Sequence, residues 1–294
     1  NSLEIGKLLN NPDLPFFNRI ISGTYHPGSV FKPLVTLAAL QEGVIDKNFR
    51  YNDQGVIKVN EYSYSNWYFT QYGRTEGLVD LVRAIARSTD TFFYTIGQKV
   101  GPDNMAKWAK SFGLDSQTGI DIPGETAGLI PTPEWKEQTK NESWFLGNTY
   151  HMAIGQGDVS TTPIEINNYI SGIATGGKIC KPRFNLESSP ECRNVSVVKN
   201  NINLIKDGME AACTEGGTAF TFFDFTQKHN GTIVACKTGT AEVGTDGIPH
   251  AWFTFFAPVD NPEIVVTVLV ERGGEGSSVA GPIARKIADY YFHE

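Results

Sequence analysis

The pattern of this 294-residue chain predicts an α+β fold, an antiparallel sheet flanked by helices with an all-α subdomain. Two observations carry that expectation. The last third holds β-branched and aromatic runs, Thr232–Cys236, Ala251–Ala257 and Ile264–Val270, separated by Gly, Asp, Asn and Pro, which is the pattern of antiparallel strands. The stretches before them read mainly in helical periods, and Val279–Phe292 closes the chain as an amphipathic helix.

Taken in order, Tyr25-His26-Pro27-Gly28-Ser29-Val30-Phe31-Lys32-Pro33 runs from a Pro-Gly turn into Leu34, Leu37, Ala38 and Leu40 at helical spacing. Gly43 is a favoured C-terminal cap, so Ser29 is expected at the start of a helix. Residues 46–77, rich in aromatics and Gly without a sustained period, read as irregular structure or short strands. Helical spacing returns from Leu78 to Arg87, breaks at Ser88-Thr89-Asp90 and resumes from Thr91 to Val100. Asp103–Phe112 is the next expected helix, closed by Gly113. Residues 123–151 read as a long surface excursion, and Thr162-Pro163 opens a helix to Ala174.

Composition narrows the function classes. The net charge of -7 and the lack of any long Lys-Arg run remove the electrostatic footprint of a nucleic-acid binder. The longest largely apolar run, Ile264–Val270, falls far short of the roughly 20 residues a spanning helix needs. Cys180 and Cys192 flank a polar loop suited to a surface staple, so a disulfide between them is expected, with four free thiols as the alternative. Cys213 and Cys236 lie in apolar stretches and read as small core residues.

Three motifs carry chemistry. Ser29-Val30-Phe31-Lys32 puts a hydroxyl and an amine three residues apart, on one face of a helix. A lysine serving as base must be neutral, so Lys32 needs its pKa brought down from about 10.4 by burial or by a neighbouring cation, for which Lys237 is the candidate. Lys237-Thr238-Gly239-Thr240 ends a strand-like run. An edge strand there could pair with an extended peptide, Gly239 leaving room for its approach while Lys237 and the two threonines meet a carboxylate. The backbone N–H groups of Ser29 and Thr240 form a candidate oxyanion hole, each donor worth about 3 kcal/mol in such sites. Ser88-Thr89-Asp90, between two helical segments, would hold a hydroxyl and a polar oxygen near Ser29 and Lys32. Trp67, Tyr68 and Trp252 are candidates to line the groove, Trp252 foremost.

These motifs, with Thr118-Gly119-Ile120-Asp121, Ala153-Ile154-Gly155-Gln156-Gly157 and Ala241-Glu242-Val243, resemble the class B penicillin-binding proteins, and more narrowly their cell-elongation transpeptidases, the penicillin-binding protein 2 group. The resemblance covers essentially the whole chain. It implies a transpeptidase domain of the β-lactamase/transpeptidase-like fold spanning 1–294, its α/β part formed by the N-terminal segment and about 228–294, with a mainly helical subdomain within about 44–227. It further implies a periplasmic domain of an inner-membrane-anchored bacterial protein, with anchor and pedestal outside this sequence. Ser29 would attack a D-Ala-D-Ala stem with Lys32 as base, Ser88 relaying the proton and Lys237 and Asp90 completing the catalytic set. β-Lactams would stop at the acyl-enzyme. Implied partners are a SEDS glycan polymerase of the RodA type and the rod-shape scaffold MreC, mainly through the pedestal.

Covalent acyl transfer needs no organic cofactor. Some members of the subgroup hold zinc through Asp, His and Cys. Here Asp53 remains, but the segment before Ser88 has neither His nor Cys, so no metal is expected. Asp90 departs from the Asn of many relatives, and an ionised Asp90 would favour the charged form of Lys32. The alternatives are a DD-carboxypeptidase or a β-lactamase-type acyl hydrolase, and, from another class, a scaffold that has lost its chemistry. A hydrolase needs a positioned base, and Glu125 reads as a loop residue.

Overall fold

In a computed structural model, residues 2–185, 187–244 and 247–293 are described. Three antiparallel strands, Ala235–Val243, Gly247–Ala257 and Ile264–Val270, form a sheet with Gly247–Ala257 in the middle. Side chains alternate across a strand, and here the two faces have different partners. Ala251, Phe253, Phe255 and Ala257 pack with Phe222, Phe225 and the alanines of the C-terminal helix Gly281–Tyr291. Trp252 and Phe256, with Ala235 and Ala241 of the neighbouring strand, face the larger core instead. Lys237 and Gly239 share the parity of Ala235 and Ala241, so they too are directed into the interior beneath the helices.

The helix Lys32–Gln41 runs through that core, with Leu34, Val35, Leu37, Ala38 and Ala39 buried. Around it lie Leu81–Arg87, Asp90–Val100, Pro102–Ser111, Leu146–Ala153, Pro163–Ala174 and Lys199–Ala212. The helical part also carries three two-stranded antiparallel ribbons: Arg50–Asp53 with Gly77–Asp80, Val56–Val59 with Tyr62–Ser65, and Lys178–Cys180 with Cys192–Asn194. Among the described residues no helix is long and apolar enough to cross a membrane.

Several elements differ from the sequence expectation. Leu78 belongs to a strand, because pairing with Arg50–Asp53 holds Gly77–Asp80 extended and the Asp80 carboxylate caps the helix at the Arg83 N–H. Residues 123–151 are not a plain surface excursion. They hold the helix Pro133–Lys140, opened by the Thr132 side chain and Pro133, and most of the helix Leu146–Ala153. The C-terminal helix is preceded by a π-helical turn, Gly276–Ala280. Cys180 and Cys192 stand opposite each other in their ribbon and are bonded. Cys213 and Cys236 are also bonded, which corrects their reading as core thiols. Apolar surroundings do not prevent pairing once a helix end stands opposite a strand with Cα atoms 5.7 Å apart.

Candidate active site

The turn that carries Ser29 is clamped before it begins. Tyr25 exchanges two backbone hydrogen bonds with Thr161, and the Gly28 N–H donates to the Gly155 carbonyl at 2.8 Å. Tyr169 donates its hydroxyl to the Val30 carbonyl from the helix Pro163–Ala174. Gly28 adopts φ +55°, and a Cβ there would meet the Thr240 carbonyl oxygen at 2.8 Å, so no other residue fits between this turn and the Lys-Thr-Gly strand. The two segments are therefore in direct backbone contact.

Ser29 lies in a 3₁₀ turn, Gly28–Phe31, rather than in the first α-turn. Pro33 has no N–H to give the Ser29 carbonyl an α-type bond, and the Lys32 N–H takes its place one residue earlier. In 3₁₀ geometry residues i and i+3 eclipse, which stacks Ser29 and Lys32 on one side more closely than an α-helix would.

Lys32 is fully buried, with its Nζ donating to the Ser88 carbonyl at 2.9 Å, the Ser88 hydroxyl at 3.0 Å and Asp90 Oδ1 at 2.6 Å. Among the described hydrogen bonds, none joins this amine to the Ser29 hydroxyl. The three acceptors match the three protons of an ammonium, so this is the geometry of the charged form. Burial pushes the Lys32 pKa down, and Asp90 opposes it through charge and hydrogen bonding. Lys237 is also fully buried, donating to the Ser88 hydroxyl at 3.0 Å and the Thr238 carbonyl at 2.9 Å. Its pKa is pushed well below the ordinary lysine value, first by burial and then by the charge of Lys32. Of the two influences expected to lower the Lys32 pKa, burial is the one the site supplies.

Ser88 stands between the two amines in the left-handed region, φ 56°, as the residue that ends Leu81–Arg87. Such a backbone costs a non-glycine residue on the order of 1–3 kcal/mol and is concentrated at functional sites. A hydroxyl has two acceptor positions and one proton. With both amines donating, the Ser88 proton is free to pass to a third group. Asp90 is held from a second direction, the Trp67 N–H donating to Oδ2 at 2.8 Å.

The Lys-Thr-Gly strand is at the edge of the three-stranded sheet. Thr240 is exposed, while Thr238 donates to the Thr218 hydroxyl at 2.9 Å. The missing side chain of Gly239 points inward: a Cβ would lie 3.0 Å from both Trp252 and Val30. Gly239 thus permits close packing beneath the strand. Trp252, expected to line the groove, is wholly buried there, its indole N–H donating to the His26 carbonyl at 3.0 Å. It fills the space that its cross-strand partner Gly239 leaves, so it supports the site from below and does not line it. Trp67 and Tyr68 are half-buried, with the Arg87 guanidinium over both rings. Glu125 accepts from the Thr118 and Gly119 N–H groups and closes its own loop.

Sequence reasoning missed Asn66, which is fully buried and accepts from the Asp90 N–H at 3.0 Å. Nothing in its local pattern sets it apart from a turn residue. Asp53, considered only as a metal ligand, accepts from the Gly55 and Glu76 N–H groups, the Asn66 amide and the Thr91 hydroxyl. Among the described residues no three His, Cys, Asp or Glu side chains gather as a metal-binding set.

A family model described as the penicillin binding protein transpeptidase domain matches residues 4–289. Peptidoglycan D,D-transpeptidase MrdA of Haemophilus influenzae is 34% identical over 100% of this chain and 48% of its own length. The chain spans about half the length of the curated relatives it matches. Penicillin-binding protein 2 of Pseudomonas aeruginosa in complex with WCK 5153 superposes with a TM-score of 0.89 at 32% identity, covering 100% of this chain and 64% of that one. The Helicobacter pylori penicillin-binding protein 2 solved in complex with MreC gives 0.88 at 30% identity, covering 100% and 54%.

Proposed function

From the premise that this chain belongs to the penicillin-binding protein transpeptidase family, we propose that it is the acyl-transfer domain of a peptidoglycan DD-transpeptidase of the cell-elongation type. The observation that carries the reading is one hydroxyl, Ser88, 3.0 Å from two buried amines, beside the turn that bears Ser29. Once the buried Lys32 ammonium has given up a proton, Ser29 Oγ attacks the penultimate D-Ala carbonyl of a stem peptide and its proton goes to the Lys32 amine. The C–N bond breaks, Ser88 gives its proton to the departing D-Ala nitrogen, and the Lys32 ammonium restores the Ser88 hydroxyl. An amine of a second stem then attacks the Ser29 ester, loses a proton back through the same groups and leaves cross-linked.

The Ser29 and Thr240 N–H groups serve as oxyanion donors, and Thr240, exposed on the edge strand, meets the terminal carboxylate with Thr238. Lys237 supplies electrostatic support, and Asp90 sets the charge of Lys32. β-Lactams are trapped at the ester. The N-terminal segment and residues from about 228 to 294 make the α/β part, and a mainly helical part lies within about 44–227. By kinship with the MreC-bound relative, MreC is a partner, together with a RodA-type polymerase, on the periplasmic side of the inner membrane.

The test is the fate of a labelled D-Ala-D-Ala donor given to the full-length protein with its polymerase. Release of D-Ala with the label in dimeric stems is expected. Release with only shortened stems would make the enzyme a carboxypeptidase, and no release would favour a scaffold.

A further inference from the structure

We propose that Asn66 and Asp53 are positioning residues for acyl transfer, forming a buried clamp that aims Asp90 at Lys32. This rests on the acyl-transfer reading above. Neither residue lies in the three motifs that bring Ser29, Ser88 and Lys237 together.

The Asn66 amide spans two groups whose polarity leaves one orientation. Its Nδ2 donates to Asp53 Oδ2 at 3.0 Å, and its Oδ1 accepts from the Asp90 N–H at 3.0 Å. A flipped amide would set oxygen against carboxylate and N–H against N–H. The next residue, Trp67, donates its N–H to Asp90 Oδ2 at 2.8 Å. Asp90 is thus gripped at its backbone and at one carboxylate oxygen, and the other oxygen faces Lys32 at 2.6 Å.

Asp53 anchors the clamp. It is 2% exposed, and it closes a ring by accepting from Thr91, the residue after Asp90, at 2.6 Å. With the Gly55 and Glu76 N–H groups it receives four donors, which fill the acceptor sites of its two oxygens and hold the side chain in place. The start of Asp90–Val100 is therefore fixed to the ribbon Arg50–Asp53, and the fixed point is one residue from the carboxylate that faces the base.

The charged groups around Lys32 among the described residues are Asp90, in contact, and Lys237, through the shared Ser88 hydroxyl. Asp90 raises the Lys32 pKa against burial, so a slack clamp lets that pKa fall further. Misalignment lowers the rate, and the lost charge contact moves the rising limb of the rate against pH to lower pH. A merely structural role would change stability without moving that limb.

The experiment measures the second-order acylation rate by a fluorescent penicillin from pH 5 to 10, with thermal melts alongside, for the wild type, Asn66→Ala, Thr91→Val and Thr91→Ser. Asn66→Ala is expected to lose tenfold or more in rate per folded molecule, with the limb displaced downward by about one pH unit. Thr91→Val, which cuts the ring at its other side, loses rate in the same sense, and Thr91→Ser, which keeps the hydroxyl, returns most of the loss. Should Asn66→Ala fail to fold, the Thr91 pair decides. Rates within twofold of wild type with an unmoved limb overturn the inference, whereas no labelling of the wild type overturns the acyl-transfer reading itself.

Discussion

Burying two lysines against one hydroxyl is costly, and at the residue scale that cost is the source of the proposed reactivity. An amine removed from water resists its charge, and one carboxylate, Asp90, serves the pair through Lys32. Lys237 therefore carries the larger penalty. Unfolded, it holds a proton up to about pH 10.4; folded, it releases that proton at lower pH. The unfolded state then binds more protons between those two values, so stability rises with pH across that window and the penalty is complete below the folded pKa. Lys237→Met, similar in volume and uncharged, should raise the melting temperature at neutral pH and flatten its rise toward alkaline pH. It should also slow acylation by at least a hundredfold. Melts at pH 6 and 9 with penicillin labelling check both halves, and an unchanged acylation rate would remove Lys237 from the chemistry.

The residues of the three motifs were legible because their chemistry limits the residue types and spacing. The direction of a side chain was less so. Gly239 read as space for a ligand, and it is space for Trp252 and Val30, because strand parity turns that position toward the core. Ser29 read as helical, and Pro33 makes its turn 3₁₀.

At the scale of elements, the site depends on a strand edge, a turn and a helix end keeping register. The Cys213–Cys236 disulfide joins the end of Lys199–Ala212 to the strand one residue before Lys237. It closes a loop with a sequence separation of 23, for which chain entropy gives about 3 kcal/mol. Replacing both cysteines by alanine should lower unfolding stability in urea by that order and slow acylation, because Lys237 loses its neighbouring tether. Equal stability with equal rate would show that packing alone holds the strand. The bond was hidden in the sequence because pairing follows from where helix and strand come to rest. Likewise Lys199–Ala212 places Ile202, Ile205, Met209 and Ala212 on one buried face, a periodicity whose significance lies in packing against Leu81–Arg87.

Across the whole molecule, the groups proposed to react gather where the sheet meets the helices. Lys237 comes from the sheet, Ser29 from the 3₁₀ turn packed on it, Lys32 from the start of the helix that follows, and Ser88 and Asp90 from the break between two further helices. Strand and helix periods in the sequence were enough for the α+β class, and the motifs marked Lys32, Ser88 and Lys237, which folding brings within hydrogen-bond reach of one hydroxyl. The clamp behind Asp90 was not legible, because Asp53, Asn66 and Thr91 carry no periodic or motif signal and meet only through folding.

Acyl transfer by this domain requires that one hydroxyl, on Ser29, take the acyl group. Intact-protein mass spectrometry after incubation with benzylpenicillin, followed by peptide mapping, tests it most directly. A single adduct of penicillin mass is expected on the peptide containing Ser29, and none on Ser29→Ala; an adduct that persists in Ser29→Ala, or a wild-type chain that gains no mass, would overturn that role.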